Sequence, residues 1–238
     1  MSTPTLRQRK KDDTRRMIAD VATKLFAERG FDAVTVNEIA NAAGVAKMTV
    51  FNYFARKEEL FFDRNEEARG ILCRVLEGRK QGEPALELLQ RAVHQLAREG
   101  HVFVKFTRGV STFWRTVEAS DALQAYVREI RGAAEVTIAE LIATESSGGR
   151  KIDPTARLLA GIFVTGWKTG YGEAIRRQRA GASAEAAKRV FLAVIDQAFV
   201  AAAAVAAGTR YSYRSNALRA GSQIQPSSAR RQQRPGAL

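Results

Sequence analysis

Residues 35–57 read Thr-Val-Asn-Glu-Ile-Ala-Asn-Ala-Ala-Gly-Val-Ala-Lys-Met-Thr-Val-Phe-Asn-Tyr-Phe-Ala-Arg-Lys, and this stretch decides the fold. Thr35 followed three residues later by Glu38 forms a capping box, in which hydroxyl and carboxylate each satisfy a free N–H at a helix start. Ile39, Ala40 and Ala43 then share one helical face. Gly44 falls where a turn can use a positive φ, and the small Ala40 lets a second helix cross closely. Val45, Val50 and Phe54 are spaced to anchor that second helix inward. Its remaining positions are Lys47, Met48, Thr49, Phe51, Asn52 and Tyr53. The pattern predicts a helix-turn-helix whose second helix lies in the DNA major groove with its N-terminal residues at base edges. A plain αα-hairpin shares the Ala-x-x-x-Gly spacing. It does not account for cap, turn glycine, anchors and a basic, amide-rich outer face in one register.

Upstream, Ile18, Val21, Ala22, Leu25 and Phe26 make the apolar face of a first helix over 12–29, ended by Gly30. With these segments in place, residues 12–62 resemble the DNA-binding domain of the TetR (tetracycline-repressor-like) family. The matching parts are Ile18-Ala19-Asp20, Leu25 to Phe31, Thr35 to Ala40, Ala43-Gly44-Val45, Val50 to Phe54 and Lys57 to Phe61. The remainder matches only in length and helical character.

The resemblance implies that Thr35, Tyr53 and Lys57 contact the DNA backbone. Many members have tyrosine where this chain has Phe51, which lacks a hydroxyl and is expected mainly to pack. Lys47 and Thr49 lie near the start of the second helix, so Lys47 is expected at guanine or a phosphate. Asn37 is a second candidate at a base edge, and Ala46 and Met48 offer apolar contact to thymine methyls. With Asn52 these complete the expected DNA-binding set.

The chain has 238 residues, with 38 Lys+Arg against 25 Asp+Glu, a net charge of +13. Such a balance suits a polyanionic partner, nucleic acid or an anionic membrane surface. Residues 209–238 hold six arginines and no acid. The lone Cys73 excludes an intrachain disulfide and fits a reducing cytosol. The N-terminus is basic with no following apolar region, which argues against a signal peptide. Residues 1–11 read as a basic mobile arm.

From Lys57 the pattern predicts one helix to about Arg79, broken by Gln81-Gly82-Glu83-Pro84. Further helices follow over 84–99, 102–118 and 121–144. Ser146-Ser147-Gly148-Gly149 reads as a loop. Asp153-Pro154 opens a helix to about Arg179, and Ser183 with Glu185 opens a last one ending near Gly208. No segment alternates with period two. The expectation is an all-α protein of about nine helices. A three-helix DNA-binding domain over 12–58 precedes a helical domain over 59–208, and 209–238 form a basic disordered tail. Residues 190–208 are apolar, but Asp196 and Gln197 interrupt them, which favours a helix buried against protein over a membrane span.

His94 and His101 are too few, and too far from Cys73, for a tetrahedral zinc site. Phosphate-loop glycines and a nucleophile–base arrangement are absent, so neither an enzyme nor a metal or cofactor protein is expected. Phe103, Phe106, Phe113, Trp114, Phe163, Trp167 and Tyr171 come from separate segments of the second domain. Each alone suits core packing; as a set they can wall an apolar cavity. The resemblance implies an inducer held there, small and apolar or amphipathic. Small residues recur in the last two helices. Gly166, Gly170, Phe191, Ile195, Ala198 and Ala202 suit either packing within one chain or a homodimer built as a four-helix bundle, and the resemblance favours the dimer. The leading expectation is a cytoplasmic, homodimeric repressor on a palindromic operator, released by its ligand. The alternatives are a ligand-independent DNA-compacting protein using the basic tails and a peripheral membrane protein.

Overall fold

The computed structural model describes residues 5–80, 83–143 and 152–213. Among these residues the chain is all-helical: ten α-helices and one 3₁₀ turn, with no strand. The first unit comprises α1 (Leu6–Arg29), α2 (Val36–Ala42), α3 (Lys47–Tyr53) and α4 (Lys57–Phe61). The second comprises α5 (Asn65–Glu77), α6 (Ala85–Arg98), α7 (Arg108–Glu118), α8 (Asp121–Ala143), α9 (Pro154–Arg179) and α10 (Ala184–Ala206).

α1 starts six residues before the expected Asp12. Thr5 caps it, its hydroxyl accepting from Gln8 N at 3.2 Å, and Gln8 donates to Asp12 one turn on at 2.9 Å. Its first turns are exposed and polar; local bonds hold them, not a core. Residues 6–11 of the expected mobile arm are therefore helical, while 1–4 lie outside the described residues. Gly30 ends α1 at φ 82°.

The expected continuous helix from Lys57 is broken. The chain leaves helical geometry at Phe62 (φ −102°, ψ 42°) and resumes it at Asn65. The break lets consecutive rings both reach Phe113: Phe61 stacks on it and Phe62 meets it edge-on at 5.5 Å. The expected helix over 102–118 begins only at Arg108. Before it, Val102–Val104 form the 3₁₀ turn, with His101 Nδ1 accepting from Phe103 N. Phe106 then drives inward against Tyr171 and Phe191.

The later caps follow the sequence. Ser120 accepts from Leu123 N at α8, Asp153 from Ala156 N at α9 with Pro154 in its first turn, and Ser183 from Ala186 N at α10. α9 and α10 pack as an antiparallel pair. A Cβ placed on Gly166 would stand 2.4 Å from the Cβ of Ala198, and one on Gly170 would stand 3.0 Å from the carbonyl oxygen of Phe191. Here glycine is required by the close approach of two backbones.

Two cores result. The larger joins α6, α8, α9 and α10. The smaller holds Ile18, Phe26, Phe31, Val34, Ile39, Val50, Phe54 and Leu60, and is closed by Val117 of α7 with Leu123 and Val127 of α8. α10 is long and apolar enough to cross a membrane. Its inner face, from Ala187 through Phe191, Ile195 and Phe199 to Ala206, is buried in the larger core. Asp196 on this helix accepts from Gln90 at 2.9 Å and is bonded to His94 at 2.8 Å.

Residues 209–213 depart from the expected tail. Tyr211 and Tyr213 are buried. Tyr213 donates to the carbonyl of Phe199 at 2.6 Å, and Tyr211 donates to Asp153 at 3.0 Å, closing the end of α10 onto the start of α9. The rest of that tail, 214–238, and the expected loop at 146–149 lie outside the described residues.

Candidate DNA-binding surface and ligand cavity

α2 and α3 meet at the turn the sequence indicates. Gly44 has φ 66°, Val45 N donates to Ala40 O at 3.0 Å, and Ala40, Val50 and Phe54 are buried. With the inner side occupied, Lys47, Met48, Phe51 and Asn52 are left outside, while Thr49 and Tyr53 are half-buried. Met48 is 69% exposed. Phe51 is 40% exposed, with the Lys47 ammonium 5.9 Å from its ring, and it stands on the outer side of α3 with the other expected DNA-binding positions. Ala46 stands exposed before the first turn of α3, and Asn37 is exposed on α2.

Two carried-over phosphate contacts are otherwise engaged. The N–H and the hydroxyl of Thr35 both donate to Glu38 Oε2, each at 2.8 Å, completing the capping box. Arg29 adds a bond to the other Glu38 oxygen at 2.7 Å. The Thr35 backbone bond, Arg29 and the Thr35 hydroxyl together lower the Glu38 pKa from 4.5 to about 2. Lys57 folds its ammonium over Phe31 at 4.2 Å, and partial burial lowers its pKa against the pull of Asp32, Glu58 and Glu38. For either side chain, a phosphate contact means giving up an internal one.

The first unit is tied to the second domain at several points. Ser120 donates to Asp32 at 2.8 Å. Arg56, between α3 and α4, donates to Glu129 of α8 at 2.5 Å and lies over the Tyr126 ring. Ser120 is the expected cap of α8, but its bond to Asp32 and the contacts of Arg56 carry no local signal in the sequence, because the partners lie far along the chain.

A cavity of about 1420 Å³ runs through the second domain to this junction. Of the seven aromatic residues singled out in the sequence, Phe103, Phe113, Trp114, Phe163, Trp167 and Tyr171 line it, and Phe106 does not: it is 1% exposed, held between Tyr171 and Phe191. Burial pushes the Tyr171 hydroxyl above the ordinary phenol pKa, opposed by its bond with Trp114. At the junction the wall is Thr23 of α1 and the segment Phe61 to Asn65.

Residues 18–63 match the family model described as bacterial regulatory proteins, tetR family. The chain is 30% identical over 168 residues to TcmR, an HTH-type transcriptional regulator of Streptomyces glaucescens, covering 67% of this chain and 72% of that protein. It is 30% identical over 144 residues to MftR of Mycobacterium tuberculosis, named for regulation of mycofactocin biosynthesis, covering 59% and 69%. Among solved structures, NalD, the secondary repressor of the MexAB-OprM efflux pump in Pseudomonas aeruginosa, is 18% identical over 79% of this chain and 97% of that one, with a TM-score of 0.48.

The chain belongs to the TetR family. This TetR regulator is thus a helix-turn-helix protein of transcription, with the DNA-binding unit at its N-terminus and a helical second domain.

The residues expected at a dimer interface divide. Gly170, Phe191, Ile195 and Ala202 are buried within the TetR chain itself, while Gly166 and Ala198, near neighbours across the α9–α10 joint, also line its outward groove. Their small size is spent on the α9–α10 joint. The outward face of the same pair carries an open groove lined by Leu158, Ile162, Thr165, Val194 and Ala198. Leu158 is 54% exposed and Val205 37%. The signal was present in the sequence as a second apolar stripe: Leu158, Ile162 and Thr165 at spacings of four and three.

Proposed function

We propose that this protein is a cytoplasmic, homodimeric transcriptional repressor that leaves a palindromic operator when a small apolar or amphipathic molecule fills the second-domain cavity. The observation that carries this reading is the lining of the cavity: the same space is walled by Phe163 and Trp167 of α9 and by Phe61 to Asn65 at the α4–α5 break. A ligand there bears on the segment that follows the recognition helix by a few residues. It can shift the equilibrium only through its differential affinity for the DNA-competent and DNA-incompetent states.

The proposed dimer uses the outward α9–α10 face around Leu158, Ile162, Val194 and Val205. Two copies joined there would present two recognition helices, and symmetric DNA requires them about 34–36 Å apart. A tilt of α4 that changes this separation by a few ångströms misaligns one half-site. Lys47, Met48, Phe51 and Asn52 form the proposed reading surface, with Asn37 and Thr49 at its edge.

The test begins with enrichment of bound duplexes from a random pool, followed by salt titration on the enriched and random sequences. A repressor yields a two-fold symmetric site and a specific-over-random ratio of roughly 10³ or more. A ratio near one would instead favour DNA compaction by the basic tails. Binding of the full chain to anionic liposomes in preference to DNA would favour the membrane alternative.

A further inference from the structure

The cavity wall carries charge that its aromatic rings do not account for. Two acids line it, Asp63 and Glu118. Glu118 is held by Arg179 at 3.0 Å, and Asp63 lies in the field of Arg64 and Arg15. Arg176 is bonded to Glu173. Arg69, Arg128, Arg131 and Lys168 also line the cavity, and among the described residues none of the four has an acidic partner.

Arg128 and Arg131 stand three residues apart on α8, hence on one face. Arg131 is only partly exposed. Burial lowers its pKa, and no carboxylate or hydrogen bond opposes the shift. A partly desolvated guanidinium without an anion is costly, and its planar fork matches carboxylate or phosphate oxygens. The wall also presents Val93 of α6, Ile138 of α8, and Phe163 and Trp167 of α9, an apolar surface suited to a chain or ring.

We propose that the ligand of this cavity is an amphipathic anion, its charged head held by Arg128 and Arg131 and its apolar body lying along Val93, Ile138, Phe163 and Trp167. The assignment rests on the ligand-responsive reading above and narrows the ligand to one chemical class. A neutral or cationic amphiphile leaves Arg131 unpaired, so the site selects against it by the same contact that selects the anion.

Trp114 and Trp167 are the chain's two tryptophans, and both line the cavity, so intrinsic fluorescence reports on its contents. The full chain is titrated with decanoate, decyl phosphate, 1-decanol and decyltrimethylammonium, each below its micelle-forming concentration. The expected result is saturable binding of at least one anion with a Kd at least tenfold below that of decanol, weakening as salt rises, and weakest binding by the cation. The tighter of the two anions names the head group. Arg131→Met should raise the anion's Kd at least tenfold and leave decanol's unchanged, the latter confirming an intact cavity, and Arg131→Lys should recover part of the loss. Equal or tighter binding of decanol, or an Arg131→Met variant that binds the anion as before, overturns the anionic assignment while leaving a ligand cavity. If none of the four probes changes the fluorescence, the cavity reading falls along with the anionic one.

Discussion

Phe61 and Phe113 stack with ring centroids 4.5 Å apart and planes 22° from parallel. Phe61 ends the helix after the recognition helix, and both rings line the cavity, so the pair couples the two units. An aromatic pair of this kind contributes about 0.5–1.5 kcal/mol beyond its buried area. Phe113→Ala should cost about 1–3 kcal/mol, less than truncating a fully buried phenylalanine. It should split one calorimetric transition into two and preserve operator affinity while abolishing release by ligand. A single transition with intact release would show that the coupling runs elsewhere.

Lys47 is exposed at the first position of α3, and Lys57 is folded onto Phe31. Lys47→Ala is expected to weaken operator binding by about 1–3 kcal/mol and to relax base preference at one position. Lys57→Ala is expected to weaken all sequences similarly and make the salt slope shallower by ~1, and also to lower thermal stability through the lost ring contact. Fluorescence anisotropy on operator and random duplexes measures both; a Lys47 variant with unchanged preference would move base reading to other residues.

Glu38 supplies a pH dependence whose sign is fixed. Its pKa in the folded chain is lowered from 4.5 to about 2. Its contribution to stability is therefore fully present above pH 4.5, declines as pH falls from 4.5 toward 2, and is gone below. Glu38→Gln should melt below the wild type at pH 7, and the gap should close as the pH drops through that window. A gap constant from pH 7 to pH 2 would assign the difference to shape rather than charge.

The α9–α10 joint makes a paired prediction. Gly166→Ala places a Cβ 2.4 Å from that of Ala198, a clash that costs about 1–3 kcal/mol. Ala198→Gly added to it removes the obstructing methyl and should recover part of the loss, although glycine within a helix costs up to about 1 kcal/mol of its own. Chemical denaturation of both variants decides it, and a double variant no more stable than Gly166→Ala would mean that the helices separate elsewhere.

Leu158 tests the proposed dimer face. Leu158→Arg, at a residue 54% exposed in the single chain, should leave the melting of the isolated fold unchanged and shift sedimentation from dimer to monomer. Operator affinity should fall with it, because two half-sites are then bound independently. A variant that sediments as before would place the partner on another surface.

The helix-turn-helix was legible because its signals are local: the Thr35–Glu38 box, Gly44, and Val50 and Phe54 four residues apart. The caps at Asp153 and Ser183 were legible for the same reason. The first turns of α1 were not, since residues 7–11 are all polar and Leu6 alone sets no apolar period. The break at Phe62 was hidden because Phe61 and Phe62 both suit a helix, and only Phe113, some fifty positions on, decides their directions. Tyr211 and Tyr213 sit in a polar arginine- and serine-rich composition that masks two anchoring rings. The small residues of α9 and α10 were read correctly as permitting close approach, but periodicity does not say whether the neighbour belongs to the same chain. Phe106 and Phe113 look alike in sequence; one is sealed in the core and the other faces the cavity.

The core beneath the recognition helix is completed by Val117, Leu123 and Val127, and this has a consequence for synthesis. Translation delivers the chain N-terminus first, at roughly 5–20 residues per second. The residues of α3 leave the ribosome several seconds before those that finish their support, and during that interval the nascent first unit lacks the α7 and α8 side chains that close the underside of its core.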